Sequence, residues 1–310
     1  MSLGKIAYKY FFKPTFSIRY HISHFGLKGW LSMRRGERQM KKAALKLSPV
    51  TLSSDYKLEV SYLTGAKYWH QTIFCAYSLA RLLKGHVRIN VYSDGTLSPE
   101  LSGFIIKALP NVNIISTKDL STQIDEVLPE KDFPLLRALR EENAFFRKLV
   151  DMRINNRYII QLDSDMLFFN EPKELIDAYR NNENYFMQDT IPASYYVLPE
   201  DVISKDLNIS MCKKINSGIL AYNSSKIDWH FVERTCAYLM KNVQNVHPPM
   251  FEQTLNAIII SWLEGKPLNQ PYRILYADKN EKTNSSDIVR HYIFKAKLPY
   301  FTTEWRQVIR

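Results

Sequence analysis

The chain has 310 residues, 45% apolar and 24% charged, an ordinary balance for a soluble globular protein long enough to bury a sizeable core. Its three cysteines, Cys75, Cys212 and Cys236, are widely spaced, which argues against a disulfide framework or a zinc knuckle and fits a reducing compartment. No signal-peptide apolar region is visible, and the apolar run around Ala257–Ile260 is too short to span a bilayer.

The charge is unevenly placed. Residues 1–50 hold eleven Lys and Arg against one acid, Glu37, whereas residues 51–310 hold 31 basic and 30 acidic side chains. This basic segment also carries Tyr8, Tyr10, Phe11, Phe12, Phe16, Tyr20, Phe25 and Trp30, and Trp30 to Leu47 reads as a basic helix. We therefore separate a basic, aromatic-rich arm (1–53) from a main domain (54–310). Two readings of the arm stand: a solvated or loosely docked segment, or an interfacial one with its cations drawn to anionic lipid. Nucleic acid is disfavoured as a partner, because no recognition motif accompanies the charge.

From residue 57 the pattern becomes strand–helix units. Lys57–Thr64 reads as a strand, Tyr68–Leu83 as a helix with Ile73, Ala76, Tyr77, Ala80 and Leu83 at helical spacing, and Val87–Tyr92 as a second strand. Pro99–Ala108 reads as a helix, Val112–Ser116 as a strand, and Phe133–Ile154 as largely helical, feeding the strand Tyr158–Leu162. Glu171-Pro172 opens a further helix and Tyr185–Gln188 is a short strand. Residues 190–214 show no clear periodicity and are expected to loop over the site. Ile219–Tyr222 is strand-like, a helix capped by Ser224 or Ser225 follows, and Met250–Leu263 is helical. Alternating strands and helices imply an α/β fold with a mostly parallel sheet.

Asp163-Ser164-Asp165 directly follows the apolar strand Tyr158–Leu162. With 15 Asp in the chain, chance alone gives about 0.7 such pairs, so the tripeptide means little without its context. The context is a buried strand, and open α/β sheets bind ligands beyond the carboxyl ends of their strands. A divalent metal that keeps most of its waters takes one or two carboxylates from protein and the rest from substrate phosphates.

Further motifs occur in a fixed order: Leu63-Thr64, then Tyr68 and Ser78-Leu79; Phe146-Arg147-Lys148-Leu149; Asp163-Ser164-Asp165; Asn216-Ser217-Gly218; Glu252-Gln253; and His291 with Lys297. In this order the chain from about Glu59 to Tyr300 resembles the nucleotide-sugar-dependent glycosyltransferases of family 8, the group of glycogenin and bacterial lipopolysaccharide galactosyltransferases. The resemblance implies a GT-A (Rossmann-like) fold and transfer of a hexose from a nucleotide-diphosphate sugar, UDP-linked by inheritance, to a glycan or lipid-linked acceptor with retention. It implies that Asp163, Asp165 and His291 hold Mn²⁺ or Mg²⁺, Asp165 most directly; two carboxylates with one imidazole suit Mn²⁺. It places Leu63, Thr64, Gly65, Tyr68 and Ser164 around the nucleotide, Tyr68 stacking on the base, and Lys297 on the diphosphate. Lys148 matches the basic sugar-contacting position. Arg147, about 100° away on the same helix, is the reserve. Asn216 and Gly218 are implied at the donor sugar, Gln253 near the anomeric carbon with Glu252 before it, and Asp189 at sugar hydroxyls.

The chain departs from the family in two places. Gly65 and Ala66 stand where the family usually has Asn or Asp before its first-loop tyrosine. Phe294 stands three residues after the histidine, where the family has Gly, and the Pro-aromatic pair falls one residue late at Pro299-Tyr300. Two other classes fit the chain less well. A sugar-phosphate nucleotidyltransferase would carry a Gly-rich basic loop after the first strand, and Leu63-Thr64-Gly65-Ala66 is a poor one. A non-catalytic membrane- or nucleic-acid-binding adaptor would not need Asp163, Asp165 and His291 to converge. The expected location is cytoplasmic, peripheral on the inner face of the membrane, in lipopolysaccharide or polysaccharide synthesis.

Overall fold

A computed structural model describes residues 13–191, 195–244, 247–277, 281 and 283–309, with backbone alone for 13–18 and 20. The first described element is α1 (Lys13–Ala44), broken at Gly26, whose φ of 67° lies in the left-handed region that a residue without Cβ enters freely. Met33, Met40 and Ala44 on α1, with Leu47 and Leu52 after it, are buried in the same cluster as the first strand. Much of the basic segment is thus packed on the domain. Tyr8, Tyr10, Phe11 and Phe12 lie outside the described residues.

Seven strands form the main sheet, in the order β3-β2-β1-β4-β7-β6-β8. They are β1 (Leu58–Thr64), β2 (Val87–Ser93), β3 (Asn113–Ile115), β4 (Tyr158–Leu162), β6 (Tyr185–Gln188), β7 (Ile215–Asn223) and β8 (Lys266–Pro267). All run parallel except β7, which pairs antiparallel with β4 and β6. A second sheet of β5 (Met166–Phe168), β9 (Tyr272–Leu275) and β10 (Val289–Tyr292) has the order β5-β10-β9.

The central strands are apolar on both faces, as a helix-covered parallel sheet requires. Alternate residues feed two cores: Ile160 and Leu162 of β4 and Ala221 of β7 join one, while Ile159, Leu220 and Tyr222 join the other. The first core takes α1 and α2 (Trp69–Leu82); the second takes α6 (Ala144–Asp151), α9 (Trp229–Asn242) and α10 (Pro248–Trp262). The remaining helices are α3 (Pro99–Ala108), α4 (Ser121–Val127), α5 (Pro134–Glu142), α7 (Lys173–Asn181), α8 (Glu200–Leu207) and α11 (Lys297–Thr302).

Several elements differ from the sequence reading. The stretch 133–154 is two helices, because Asn143 leaves helical geometry (ψ 132°) and caps α6 through the Phe145 amide. Residues 190–214 include α8, whose single fully buried side chain, Ile203, leaves too little periodicity to see. Strand β7 starts at Ile215, four residues before the strand-like run Ile219–Tyr222, and so takes in Asn216-Ser217-Gly218. After that strand comes a short 3₁₀ turn at Ser224–Lys226, and Asp228 caps α9.

His70 on α2 is fully buried with Glu37 of α1 3.9 Å away and the Phe301 ring 6.3 Å from its own, and neither ring nitrogen has a hydrogen-bond partner among the described residues. Burial, with Lys41 nearby, lowers its pKa from 6.5 to about 3. A histidine depressed in the folded state gives stability that is fully present above 6.5 and lost as pH falls toward about 3. Between pH 7 and pH 5 the wild type is expected to lose about 2 kcal/mol more than His70→Phe. Urea unfolding of both proteins at the two pH values measures that difference.

Candidate active site

The Asp163-Ser164-Asp165 tripeptide bridges the two sheets: β4 ends at Leu162 in the large sheet and β5 begins at Met166 in the small one. Strand β10 pairs with β5 so that His291 lies opposite Met166, and the Tyr292 amide donates to the Asp165 carbonyl at 3.0 Å. This antiparallel pairing carries a residue from far along the chain to the metal-type pair. One ligand atom from each of Asp163, Asp165 and His291 falls within 4.8 Å of the others. His291 Nε2 lies 3.1 Å from Asp165 Oδ1 and 3.7 Å from Asp163 Oδ2.

Two lysines balance the carboxylates. Lys297, at the start of α11, bonds Asp165 Oδ2, and Lys148 of α6 donates to Asp163 Oδ1 at 2.5 Å. Burial opposes ionisation of Asp165, but Lys297 and His291 outweigh it and hold the carboxyl well below its usual range. Burial likewise opposes the Lys148 charge, and Asp163 with Glu252 reverses the balance and raises its pKa. Burial raises the Glu252 pKa, with Lys148 acting against it.

Glu252 lies behind Lys148 and away from open solvent, 3.7 Å from its ammonium, accepting from Ser217 Oγ and from Asn256. Next to it on α10, Gln253 is half-buried and its amide makes no hydrogen bond among the described residues. Asn216 accepts from the Gly218 amide at 2.9 Å and donates to Asp189, whose carboxylate also takes the Tyr276 hydroxyl at 2.6 Å and the Ile191 amide. Gly218 leaves room for the histidine: a Cβ there would stand 2.6 Å from His291 Nδ1. Ser164 shares the Thr72 hydroxyl with Thr64, at 2.8 and 2.7 Å.

The structure thus gathers Asp163, Asp165, His291, Lys297, Lys148, Glu252, Asn216 and Gly218, with Asp189, Ser164 and Thr64 one bond further out. Leu63 is half-buried and packs against the second core. Arg147 reaches the loop after β2 rather than the acidic pair, donating to the Asp94 and Arg140 carbonyls and pairing with Glu141. Tyr68 is exposed at the end of β1, with the Lys67 ammonium 4.8 Å from its ring centroid. Gly65 makes way for a neighbour, since a Cβ on it would collide with the Asp94 carboxylate. That carboxylate, held by the Thr96 amide and hydroxyl, stands beside the first loop where the sequence showed only Gly65 and Ala66.

Arg153 escaped the sequence reading. Fully buried, it bonds the Lys148 and Leu149 carbonyls at 2.7 Å, Gln161 and Asn256 at 2.8 Å, and the Tyr222 hydroxyl. Asn256 in turn holds Glu252, so one guanidinium backs the whole acidic and basic network. A buried arginine before a strand has no periodic signature, and its partners are up to 103 residues away.

A cavity of about 760 Å³ opens at the other ends of β1 and β4, lined by Tyr56, Glu59, Arg157, Tyr158 and Tyr179 among others. Sheets of this kind bind at the carboxyl ends of their strands, where the acidic pair lies, so this cavity is not the candidate active site.

In sequence, the chain matches no protein-family model and no curated protein. In fold it is similar to the galactosyltransferase LgtC, solved in complex with donor and acceptor sugar analogues, with 15% identity over 81% of this chain and 93% of that one and a TM-score of 0.53. It is also similar to mouse xyloside xylosyltransferase 1, with 14% identity over 77% and 98% of the two chains and a TM-score of 0.50. GlyE of Streptococcus pneumoniae TIGR4 gives 13% identity over 82% of this chain and 62% of that one, also at 0.50. At these identities the likeness is one of fold: a mixed α/β, GT-A glycosyltransferase architecture around a mostly parallel sheet.

Proposed function

We propose that this chain is a metal-dependent glycosyltransferase that moves a hexose from a nucleotide-diphosphate sugar, UDP-linked, to a glycan or lipid-linked acceptor with retention. The observation that carries the reading is the meeting of Asp163, Asp165 and His291 at the carboxyl end of β4, with Lys297 and Lys148 on the two carboxylates. The donor set fits a hard divalent ion with some affinity for imidazole, Mn²⁺ or Mg²⁺. When bound, such an ion supplies a Lewis acid and template for the diphosphate.

The chain's own residues do the rest. Lys297 offers its ammonium to charge that builds on the leaving diphosphate. Lys148, fixed between Asp163 and Glu252, holds the Asp163 carboxylate aimed at the site. The tied pair Asp189 and Asn216 offers polar atoms to sugar hydroxyls, and Gln253 has a free amide for the reacting carbon's surroundings. Glu252 is enclosed by Lys148, Ser217 and Asn256, so it serves as a positioning group rather than a nucleophile. Front-face attack assisted by the departing phosphate is therefore our reading of retention. The 190–214 segment serves to exclude water, which competes as acceptor.

The test is hydrolysis of a panel of nucleotide sugars with Mn²⁺, Mg²⁺ or chelator. Metal-dependent release of nucleoside diphosphate from UDP-sugars is expected. Hydrolysis indifferent to metal, or release of a sugar phosphate, would point to another class.

A second reading concerns the arm. Leu27, Leu31, Arg34, Arg35, Arg38 and Lys42 fall within about 100° of one helical face, opposite the buried Met33, Gly36 and Met40. Leu27 and Leu31 are more than half exposed, and among the described residues Arg35, Arg38 and Lys42 form no ion pair. We propose that this strip rests on an anionic membrane surface at the cytoplasmic side, each cation contributing about 1 kcal/mol. Reversing Arg35, Arg38 and Lys42 to Glu is expected to weaken binding to phosphatidylglycerol-containing vesicles by at least about a hundredfold. Vesicle binding unchanged in that variant, or tight duplex DNA binding lost in its place, would refute the membrane reading.

A further inference from the structure

Phe294 adopts a φ of 44°, a left-handed conformation that is unfavourable for an aromatic residue. Its ring is nevertheless half exposed and stacks on Tyr276 at 5.9 Å and 18°, with Tyr195 also 5.9 Å away and itself 39% exposed. An outlier of this kind, three residues from both His291 and Lys297, holds an apolar ring where burial does not explain it. The backbone strain positions a surface rather than filling the core.

Sheet order locates that surface. Tyr68 stands at the end of β1, the acidic pair at the end of β4, and Asp189 just beyond β6, in a sheet that runs β1-β4-β7-β6. Tyr276 bonds Asp189 at 2.6 Å, so the three rings lie on the β6 side of the metal-type site, across from the nucleotide end. Asp189 is only 6% exposed and already accepts from the Tyr276 hydroxyl, Asn216 and the Ile191 amide, so the surface open to a pyranose there is the flat aromatic faces, on which its C–H face packs.

We propose that Phe294 and Tyr195 form the platform for the acceptor sugar, with the buried Asp189 anchoring Tyr276 beneath it. This rests on the glycosyltransferase reading, and it makes the departure at Phe294 a specificity determinant. The ring takes up the space above the strand end and sets which sugar face is presented to the donor.

Saturation-transfer and shift-perturbation NMR with methyl β-D-galactopyranoside and methyl β-D-glucopyranoside, in the presence of diamagnetic Mg²⁺ and UDP, tests the platform. Phe294→Leu keeps apolar bulk and the same unfavourable backbone while removing the ring; Phe294→Tyr keeps the ring. Glycoside binding is expected to weaken about tenfold in Phe294→Leu and in Tyr195→Ala, and to be retained in Phe294→Tyr. Equal binding by the wild type and Phe294→Leu would overturn the platform, as would failure of the wild type to bind either glycoside. Metal-dependent donor hydrolysis by the wild type tests the underlying reading separately. If hydrolysis is present while the platform test fails, the acceptor assignment alone falls.

Discussion

Replacing Asp165 by Asn is expected to lower sugar transfer and donor hydrolysis by about a thousandfold or more while leaving the protein folded. The amide keeps the shape of the carboxylate but removes the charge that faces His291, Lys297 and the other acid. A neutral ligand there weakens metal binding and leaves the Lys297 ammonium without its partner. The stability cost is small, because Asp165 and Lys297 are each about a quarter exposed. Such a pair contributes about 1 kcal/mol, or about 1.5 °C in unfolding temperature for a chain of this size. Rates at saturating donor, with a thermal melt of the same sample, check both halves. A variant that still turns over at a tenth of the wild-type rate would remove Asp165 from the chemistry.

Arg153→Met is expected to produce the opposite pattern, a large loss of stability. The substitution preserves bulk but leaves Gln161, Asn256, Tyr222 and the carbonyls of Lys148 and Leu149 without their buried donor. Those two carbonyls belong to the last turn of α6, where a cation also opposes the helix dipole. Removing one side of a buried charged network costs about 3–5 kcal/mol, so a fall of roughly 5–8 °C in unfolding temperature follows. Arg153→Lys restores charge without the planar fork and is expected to recover only part of it. A melt within 2 °C of wild type, read against the scale of about 1.5 °C per kcal/mol, would show that the network is not a structural keystone.

These two residues mark what the sequence does and does not disclose. Asp165 is legible because its chemistry is local: two acids one residue apart at the end of an apolar strand. His291 and Lys297 became legible through their order along the chain and the family resemblance, and β10 then pairs beside β5 to bring them in. The strands of the sheet were readable because those buried on both faces are continuous apolar runs; Tyr158–Leu162 and Tyr185–Gln188 match to the residue. Arg153 was not readable, since its partners come from β4, β7, α6 and α10 and only folding brings them together. Nor was the burial of Glu252, which in sequence is simply the neighbour of Gln253. Asp94 illustrates a third case. Its carboxylate fills space beside Gly65, a close approach between two loops that neither loop announces.

The packing of α1 also bears on how the chain can be dissected. A protein starting at Ser54 would lose Met33, Met40, Ala44, Leu47 and Leu52 from the main core. Such deletions open cavities costing several kcal/mol. Point substitutions on the exposed strip, rather than truncation, therefore separate a membrane role from a structural one.

The most direct test of the central claim is a crystal of the protein grown or soaked with Mn²⁺ and UDP, with anomalous diffraction recorded at the manganese edge. A single strong peak is expected within bonding distance of Asp163, Asp165 and His291, with Lys297 moved from Asp165 onto the diphosphate. A peak at another site, or UDP bound with Lys297 still on Asp165 and no metal among the three residues, would contradict the claim.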